Sequence, residues 1–334
     1  FFFACSSVFY SHELTGTGYV LRRLIPIFIY NIVVSLMVKN TMTYTQTLQF
    51  IKIVLKIYML IVFFICVYLI LFELPNIGIW GKLGSILFND VGLTVWGYHL
   101  CFAMNFCLYY FLNEYFSYRK IGYKYLIVLF FMIICSSIRK VFISPILFIT
   151  IYFIIKNKKN WFKILKYTIF SIIMFIVTYY IVTHIERLYL VIGRRIESLI
   201  LGVLNITNES SYIDISAMER ESLRTNAISL FTQYPIFGYG LDSFKFYTAS
   251  LGTQQIYSHI NYLELLACTG LIGFTLYYGS FISMIKKLLK KTDKNLLIVA
   301  IVAILVTQLV LDLGSVTYYS SIYFSFYFLF SNLF

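Results

Sequence analysis

Three side-chain types at well-spaced positions could carry chemistry in this chain. His259 stands just before an apolar run, in Ser258-His259-Ile260-Asn261-Tyr262-Leu263-Glu264. An imidazole has an unperturbed pKa of about 6.5, so it can accept a proton at neutral pH. A lone histidine at a helix start can equally be a polar residue at an interface. Arg139 and Lys140 close the short turn Ser136-Ser137-Ile138-Arg139-Lys140 between two apolar runs. Two cations there either snorkel to lipid headgroups or hold an anion. Arg220 and Arg224 lie four apart in a polar stretch, which puts them on one face of a helix. A solvated charged face accounts for Arg224, Glu219 and Glu221.

These residues must be positioned by an oily chain. Of 334 residues, 60% are hydrophobic and only 12% are charged, and the mean hydropathy is +0.82. A composition of this kind marks a polytopic membrane protein. Lipid offers the backbone no hydrogen bonds, so spans must be helices or a closed barrel. The apolar runs are continuous and do not alternate with period two, so the expected fold class is all-α, a bundle of transmembrane helices. About ten spans are expected, near 1–10, 23–38, 56–73, 91–112, 124–138, 141–155, 165–184, 260–284, 295–311 and 316–333. The chain opens inside an apolar run without Met, so the N-terminus is expected to be truncated.

Lysine and arginine set the expected orientation. Clusters at 119–124, 156–166 and 286–294 read as cytoplasmic. Alternation then puts 76–90, the turn at 136–140, the loop 185–258 and the turn at 312–315 on the outer face. Arg22 and Arg23 fit less well, because the count puts them outside. The net charge of +13 follows topology and carries no nucleic-acid signal. Three segments result: N-terminal transmembrane helices (1–184), a large extracytoplasmic loop with short helices (185–258), and C-terminal transmembrane helices (259–334).

Inside the loop, Leu223, Ala227, Leu230 and Phe231 recur at helical spacing, which predicts an amphipathic helix over 216–234. Pro235 ends it, and Gly238 and Gly240 make a tight turn. Asn205-Ile206-Thr207 and Asn208-Glu209-Ser210 match glycosylation acceptors, triplets common by chance. His12, His99 and His184 stand alone and read as structural. The six cysteines show no metal-ligand spacing and read as small packing residues.

The stretch 220–273 resembles the O-antigen ligase/polymerase superfamily. The resemblance rests on Arg220, the turn Pro235-Ile236-Phe237-Gly238-Tyr239-Gly240, then His259 with Tyr262, Leu263 and Glu264, and the run Thr269-Gly270-Leu271-Ile272-Gly273. The turn at Ser137-Ile138-Arg139-Lys140 adds to it. Two departures stand out: Ile260 occupies the place of the Asn that usually follows the histidine, and Ile138 splits a Ser-Arg pair.

The resemblance implies glycosyl transfer from a polyprenyl-diphosphate-linked glycan. Arg139 and Arg220, with Lys140 as a weaker third, would hold the diphosphate, and His259 would be the catalytic base. Arg224, Asn261, Tyr262 and Glu264 would contact the glycan or support the site. No cofactor is expected. The sequence has no Asp-x-Asp motif, so a metal-independent, inverting transfer is expected. The reading is a polymerase that assembles lipid-linked repeat units into capsule, exopolysaccharide or O-antigen in a bacterial cytoplasmic membrane, with its active site outside. Flippase and chain-length regulator proteins are candidate partners. The alternatives are a ligase that moves a finished glycan, and a transporter of lipid-linked sugars.

Overall fold

The computed structural model describes residues 2–68, 94–134, 139–158, 160–184, 215–252 and 256–333. Among these, every regular element is helical. In chain order they are α1 (Phe2–Tyr10), α2 (Leu14–Thr41), α3 (Tyr44–Tyr68), α4 (Thr94–Tyr118), α5 (Tyr123–Ile134), α6 (Arg139–Lys156), α7 (Trp161–His184), α8 (Ile215–Gln233), α9 (Phe244–Ser250), α10 (Asn261–Leu289), α11 (Leu296–Leu311) and α12 (Ser321–Ser331). The segment 76–90, the turn 136–138 and the acceptor triplets at 205–210 lie outside the described residues.

Four of these stretches are long and apolar enough to cross a membrane: Leu14–Thr41, Tyr44–Tyr68, Asn261–Leu289 and Leu296–Gly314. The segments 143–156 and 321–331 are apolar but shorter. Helix α2 begins well before the predicted residue 23. Its first turns are polar enough to look like loop, but Gly16 and Thr17 are buried. Their burial comes from contact with the backbone near Leu241 and Asp242.

The chain divides into two compact units. The first comprises Phe1–Thr47, Tyr212–Leu288 and Gln308–Phe334. Within it α2 packs on α12, and two side-chain bonds cross that contact. Asn31 Nδ2 donates to Ser325 Oγ at 3.2 Å, and Ser35 Oγ donates to Asn332 Oδ1 at 2.6 Å. The core of this unit gathers Leu223, Ala227 and Leu230 of α8, Phe244 of α9, Leu265 and Cys268 of α10, and Tyr318. Helix α8 is amphipathic for this reason: the apolar stripe 223–227–230 covers the core, and the charged side does not.

The second unit comprises Leu48–Ser211 and Leu289–Thr307. Helix α4 packs on α5 and α6, and α6 on α7. Residues 100–110 of α4 are all buried. A helix apolar around its whole circumference belongs inside a bundle. Asn105 Nδ2 donates to Ser144 Oγ at 3.0 Å, a polar contact between buried helices of the kind that fixes register. Lys158 ties α6 to the turn at 292–294 through Asp293 at 3.1 Å and Thr292 at 3.2 Å. His99 meets the Tyr58 hydroxyl at 2.7 Å, and His184 Nδ1 lies 2.9 Å from the Tyr180 carbonyl. Both are held by neighbours in ordinary structural contacts.

Candidate active site

The glycine motifs at 235–240 and 269–273 form one structural lock. Gly270 has φ 62° and ψ −169°, and it breaks α10. Only glycine adopts this backbone region without strain. The break frees two helical donors and two helical acceptors. In a continuous helix Leu271 N–H would bond Ala267 O, and Ile272 N–H would bond Cys268 O.

Here Leu271 N–H donates to Pro235 O at 2.8 Å and Ile272 N–H to Ile236 O at 3.3 Å. In exchange, Ala267 O accepts from Tyr239 N–H and Cys268 O from Gly240 N–H, both at 2.9 Å. All four orphaned groups are satisfied by the turn. Broken backbone of this kind is tolerated in an apolar helix where protein covers it. A methyl group at Gly238 would run into the Cys268 carbonyl carbon, and one at Gly270 into the Ile236 carbonyl. The N-terminal segment seals the other side. His12 N–H donates to Tyr239 O at 2.9 Å, with its ring stacked on Tyr239 and beside Tyr234.

His259 sits in a clamp built on this frame. Its own φ is 64°, in the left-handed region that non-glycine residues seldom occupy. Both flanking residues are tied down. Ser258 is fully buried, and its N–H donates to Glu264 Oε2 at 2.6 Å. The Ser258 hydroxyl donates to Ile260 O at 3.0 Å and receives Ile260 N–H at 3.3 Å. Glu264 N–H returns to Ile260 O at 3.0 Å. A buried carboxylate thus reaches back over the first turn of α10, in the manner of a capping box. His259 remains half-buried, with the Tyr257 ring 4.5 Å away.

Asn261 anchors the same turn from beneath. Its Oδ1 accepts Thr317 N–H at 2.7 Å and Tyr318 N–H at 3.0 Å. Its Nδ2 donates to the Tyr278 hydroxyl at 2.7 Å and to Asp312 Oδ2 at 3.2 Å. That is the full bonding capacity of an amide. Asp312 collects four donors: Asn261, Tyr278 at 3.0 Å, and Gln308 and Thr317 at 2.9 Å each. The Tyr262 hydroxyl donates to Leu309 O at 2.7 Å, and its ring stacks on Tyr278. Asn261 and Glu264 are 0% and 1% exposed. The polar atoms of Asn261, Tyr262 and Glu264 therefore engage protein partners, which is the geometry of supporting groups.

This network yields a stability prediction. Asp312→Leu removes the acceptor of Gln308, Thr317 and Tyr278 and of one Asn261 N–H, all in a buried place. Unmet buried groups cost about 1–3 kcal/mol each, so a loss of about 3 kcal/mol or more is expected. Thermal unfolding in detergent measures it, with Asp312→Asn intermediate. A midpoint equal to wild type for Asp312→Leu would show the network to be dispensable.

The two arginines of α8 separate clearly. Arg220 continues the buried stripe one turn before Leu223 and is half-buried. It has no ion-pair partner among the described residues. Arg224 is exposed and pairs with Glu221 at 3.3 Å. Arg139 opens α6, and Lys140 follows it, half-buried. These two belong to the second unit, whereas Arg220, Arg224, His259, Asn261, Tyr262 and Glu264 belong to the first.

Sequence reasoning passed over a further group in the first unit. Asp242 N–H donates to the Tyr318 hydroxyl at 3.0 Å, and its carboxylate meets Lys245 Nζ at 2.5 Å. Burial raises the Asp242 carboxyl above the usual range, while Lys245 and then Arg23 pull it back. Arg23 and Lys245 both lie near the Tyr19 ring, so Arg23 shares a neighbourhood with the Asp242–Lys245 pair. The misfit of Arg22 and Arg23 with the charge rule was the available signal. The pair Asp242 and Lys245, three apart after a glycine turn, was another.

Residues 125–278 match the family model described as O-antigen ligase. No curated protein matches the chain. The matched span contains Arg139, Lys140, Arg220, the 235–240 turn, His259 and the break at Gly270. The match spans a little under half of the chain and is consistent with the resemblance to the O-antigen ligase/polymerase superfamily.

Proposed function

We propose that the protein is a polysaccharide polymerase, which joins polyprenyl-diphosphate-linked oligosaccharides at the outer face of a bacterial cytoplasmic membrane. The observation that carries the reading is the clamp. A histidine is held in a left-handed turn by buried Ser258 and Glu264. It shares a compact unit with a half-buried arginine, inside the family-matched span.

In the proposed reaction a sugar hydroxyl of the acceptor glycan attacks the anomeric carbon of the donor. His259 takes the hydroxyl proton as the new C–O bond forms, a contribution of about a hundredfold or more. The bond from the anomeric carbon to the diphosphate breaks, and its electron pair leaves with the polyprenyl diphosphate. Arg220 meets that growing charge with a guanidinium fork, which is permanently protonated and matches phosphate oxygens. Arg139 and Lys140 take the same role on the strength of the family motif. In-line attack from one face inverts the anomeric centre. The carrier supplies the activation, so no nucleotide or cofactor takes part. Flippase and chain-length regulator proteins are the expected companions.

A lean toward polymerase over ligase comes from composition. The abundance of Lys, Ile, Tyr and Asn suits an AT-rich source, and such a source need not make lipid A. Product analysis of His259→Ala in the native host separates the readings. Single repeat units accumulating on the carrier are the expected result. Full-length chains stranded on the carrier would make it a ligase. An unchanged polysaccharide would remove His259 from the mechanism.

A further inference from the structure

The structure points to a second anion site. We propose that Tyr19, Arg23 and Lys245 bind a phosphate group carried by a membrane lipid. Arg23 and Lys245 come from distant parts of the sequence and meet over one ring. The Arg23 guanidinium carbon is 5.6 Å from the Tyr19 ring centroid, and Arg23 Nη1 is 3.4 Å from the Tyr19 hydroxyl. The Lys245 ammonium is 5.7 Å from the same centroid and 5.3 Å from that of Phe246. The Tyr19 ring is 56% exposed, so the cluster is open on one side.

The charges there do not balance. Asp242 is the acid bonded within the cluster, and its carboxylate is already paired with Lys245. Arg23 is left as a surplus, exposed cation in the cluster. Like charges gathered near apolar surface repel, and an anion between them turns that cost into attraction. Arginine is the side chain best shaped to grip a phosphate, and tyrosine is at home at headgroup depth.

Snorkelling explains a cation that leaves its own helix for the headgroups. It does not explain a lysine of α9 and an arginine of α2 converging on one ring. Position also favours a lipid ligand. Arg23 lies on α2, long and apolar enough to cross a membrane. Asp242 and Lys245 follow the 235–240 turn, whose Gly240 N–H bonds Cys268 O of α10, the helix that begins just after His259. Two sources share this chemistry: the diphosphate of a second polyprenyl carrier, and the headgroup of an anionic phospholipid. The first source rests on the glycosyl-transfer reading; the existence of the site does not.

The test counts ligands by native mass spectrometry on the full chain in zwitterionic-lipid nanodiscs. The probes are polyprenyl diphosphate and, separately, phosphatidylglycerol. Wild type should bind two polyprenyl diphosphates, and Arg23→Gln should bind one, with the lost site weakened about tenfold or more. Lys245→Gln alone would strand a buried carboxylate, so Asp242→Asn with Lys245→Gln removes that pair whole. It should lose the same equivalent.

Arg220→Gln should lose the other equivalent. If phosphatidylglycerol fills the Arg23-dependent site and polyprenyl diphosphate does not, the site stands with bulk lipid as its source. Two equivalents retained by both variants would overturn it. So would a wild type that binds one equivalent, dependent on Arg220 and indifferent to Arg23, which leaves the proposed function intact. A wild type that binds neither probe overturns it as well.

Discussion

Gly270→Ala is expected to dismantle the lock that holds the histidine turn. Two penalties coincide at this position. The backbone angles belong to a region that costs a non-glycine residue about 1–3 kcal/mol. The new methyl would also press on the Ile236 carbonyl, so the turn must move away. Moving it breaks the four exchanged hydrogen bonds between 235–240 and 267–272. Each is worth about 1 kcal/mol made, and more if its groups are left buried and unmet.

A loss of about 4 kcal/mol or more is expected, a large share of the usual 5–15 kcal/mol of a folded domain. Gly238→Ala should behave alike, because its methyl meets the other side of the same contact. Gly279→Ala is the control. It lies in the same helix with open space around it and should be neutral or slightly stabilising. Thermal unfolding of the three variants in detergent decides the matter. If Gly270→Ala melts with Gly279→Ala and wild type, the lock is not what holds the turn.

Arg220→Gln and Arg224→Gln should differ by about two orders of magnitude in turnover. One turn of α8 separates them, yet their surroundings differ. Arg224 is exposed and paired with exposed Glu221, an interaction of about 0–1 kcal/mol. Its loss should change turnover by about twofold at most. Arg220 lies half-buried on the packed face, in the unit that holds His259.

If it meets charge on the departing diphosphate, its removal should cost about 3 kcal/mol of transition-state stabilisation, or roughly a hundredfold. Arg220→Lys should recover only part, since it restores the charge without the fork. The measurement is release of polyprenyl diphosphate by purified protein from a lipid-linked donor, with folding checked by melting temperature. Equal losses in Arg220→Gln and Arg224→Gln would mean that a diffuse basic surface acts, and no loss in either would remove α8 from the reaction.

Much of this could be read from local pattern. The stripe Leu223, Ala227, Leu230 announced α8 to within about two residues at either end, because periodicity and a terminating proline are properties of neighbours in sequence. The apolar runs announced α10 and α11 for the same reason, since the cost of an unbonded backbone in lipid leaves few choices. His259 was legible as a polar residue at the mouth of a helix. Asn261 and Glu264 were legible as part of a motif, but their burial was not. A polar residue next to an apolar run reads as rim until its partners are known, and those of Asn261 are residues 278, 312, 317 and 318.

Composition, charge pattern and helical period were enough to establish a helical membrane chain and to single out 220–270 as the stretch where candidate residues gather. Those signals arise from the solvent each residue must face, and solvent acts on residues one at a time. It took the folded chain to join two glycine motifs into a single lock, to part Arg220 from Arg224, and to bring Arg23 and Lys245 to one tyrosine ring. These are contacts between segments far apart in the chain. Close packing and the need to satisfy every buried donor and acceptor select them, and neither condition is visible until the helices meet.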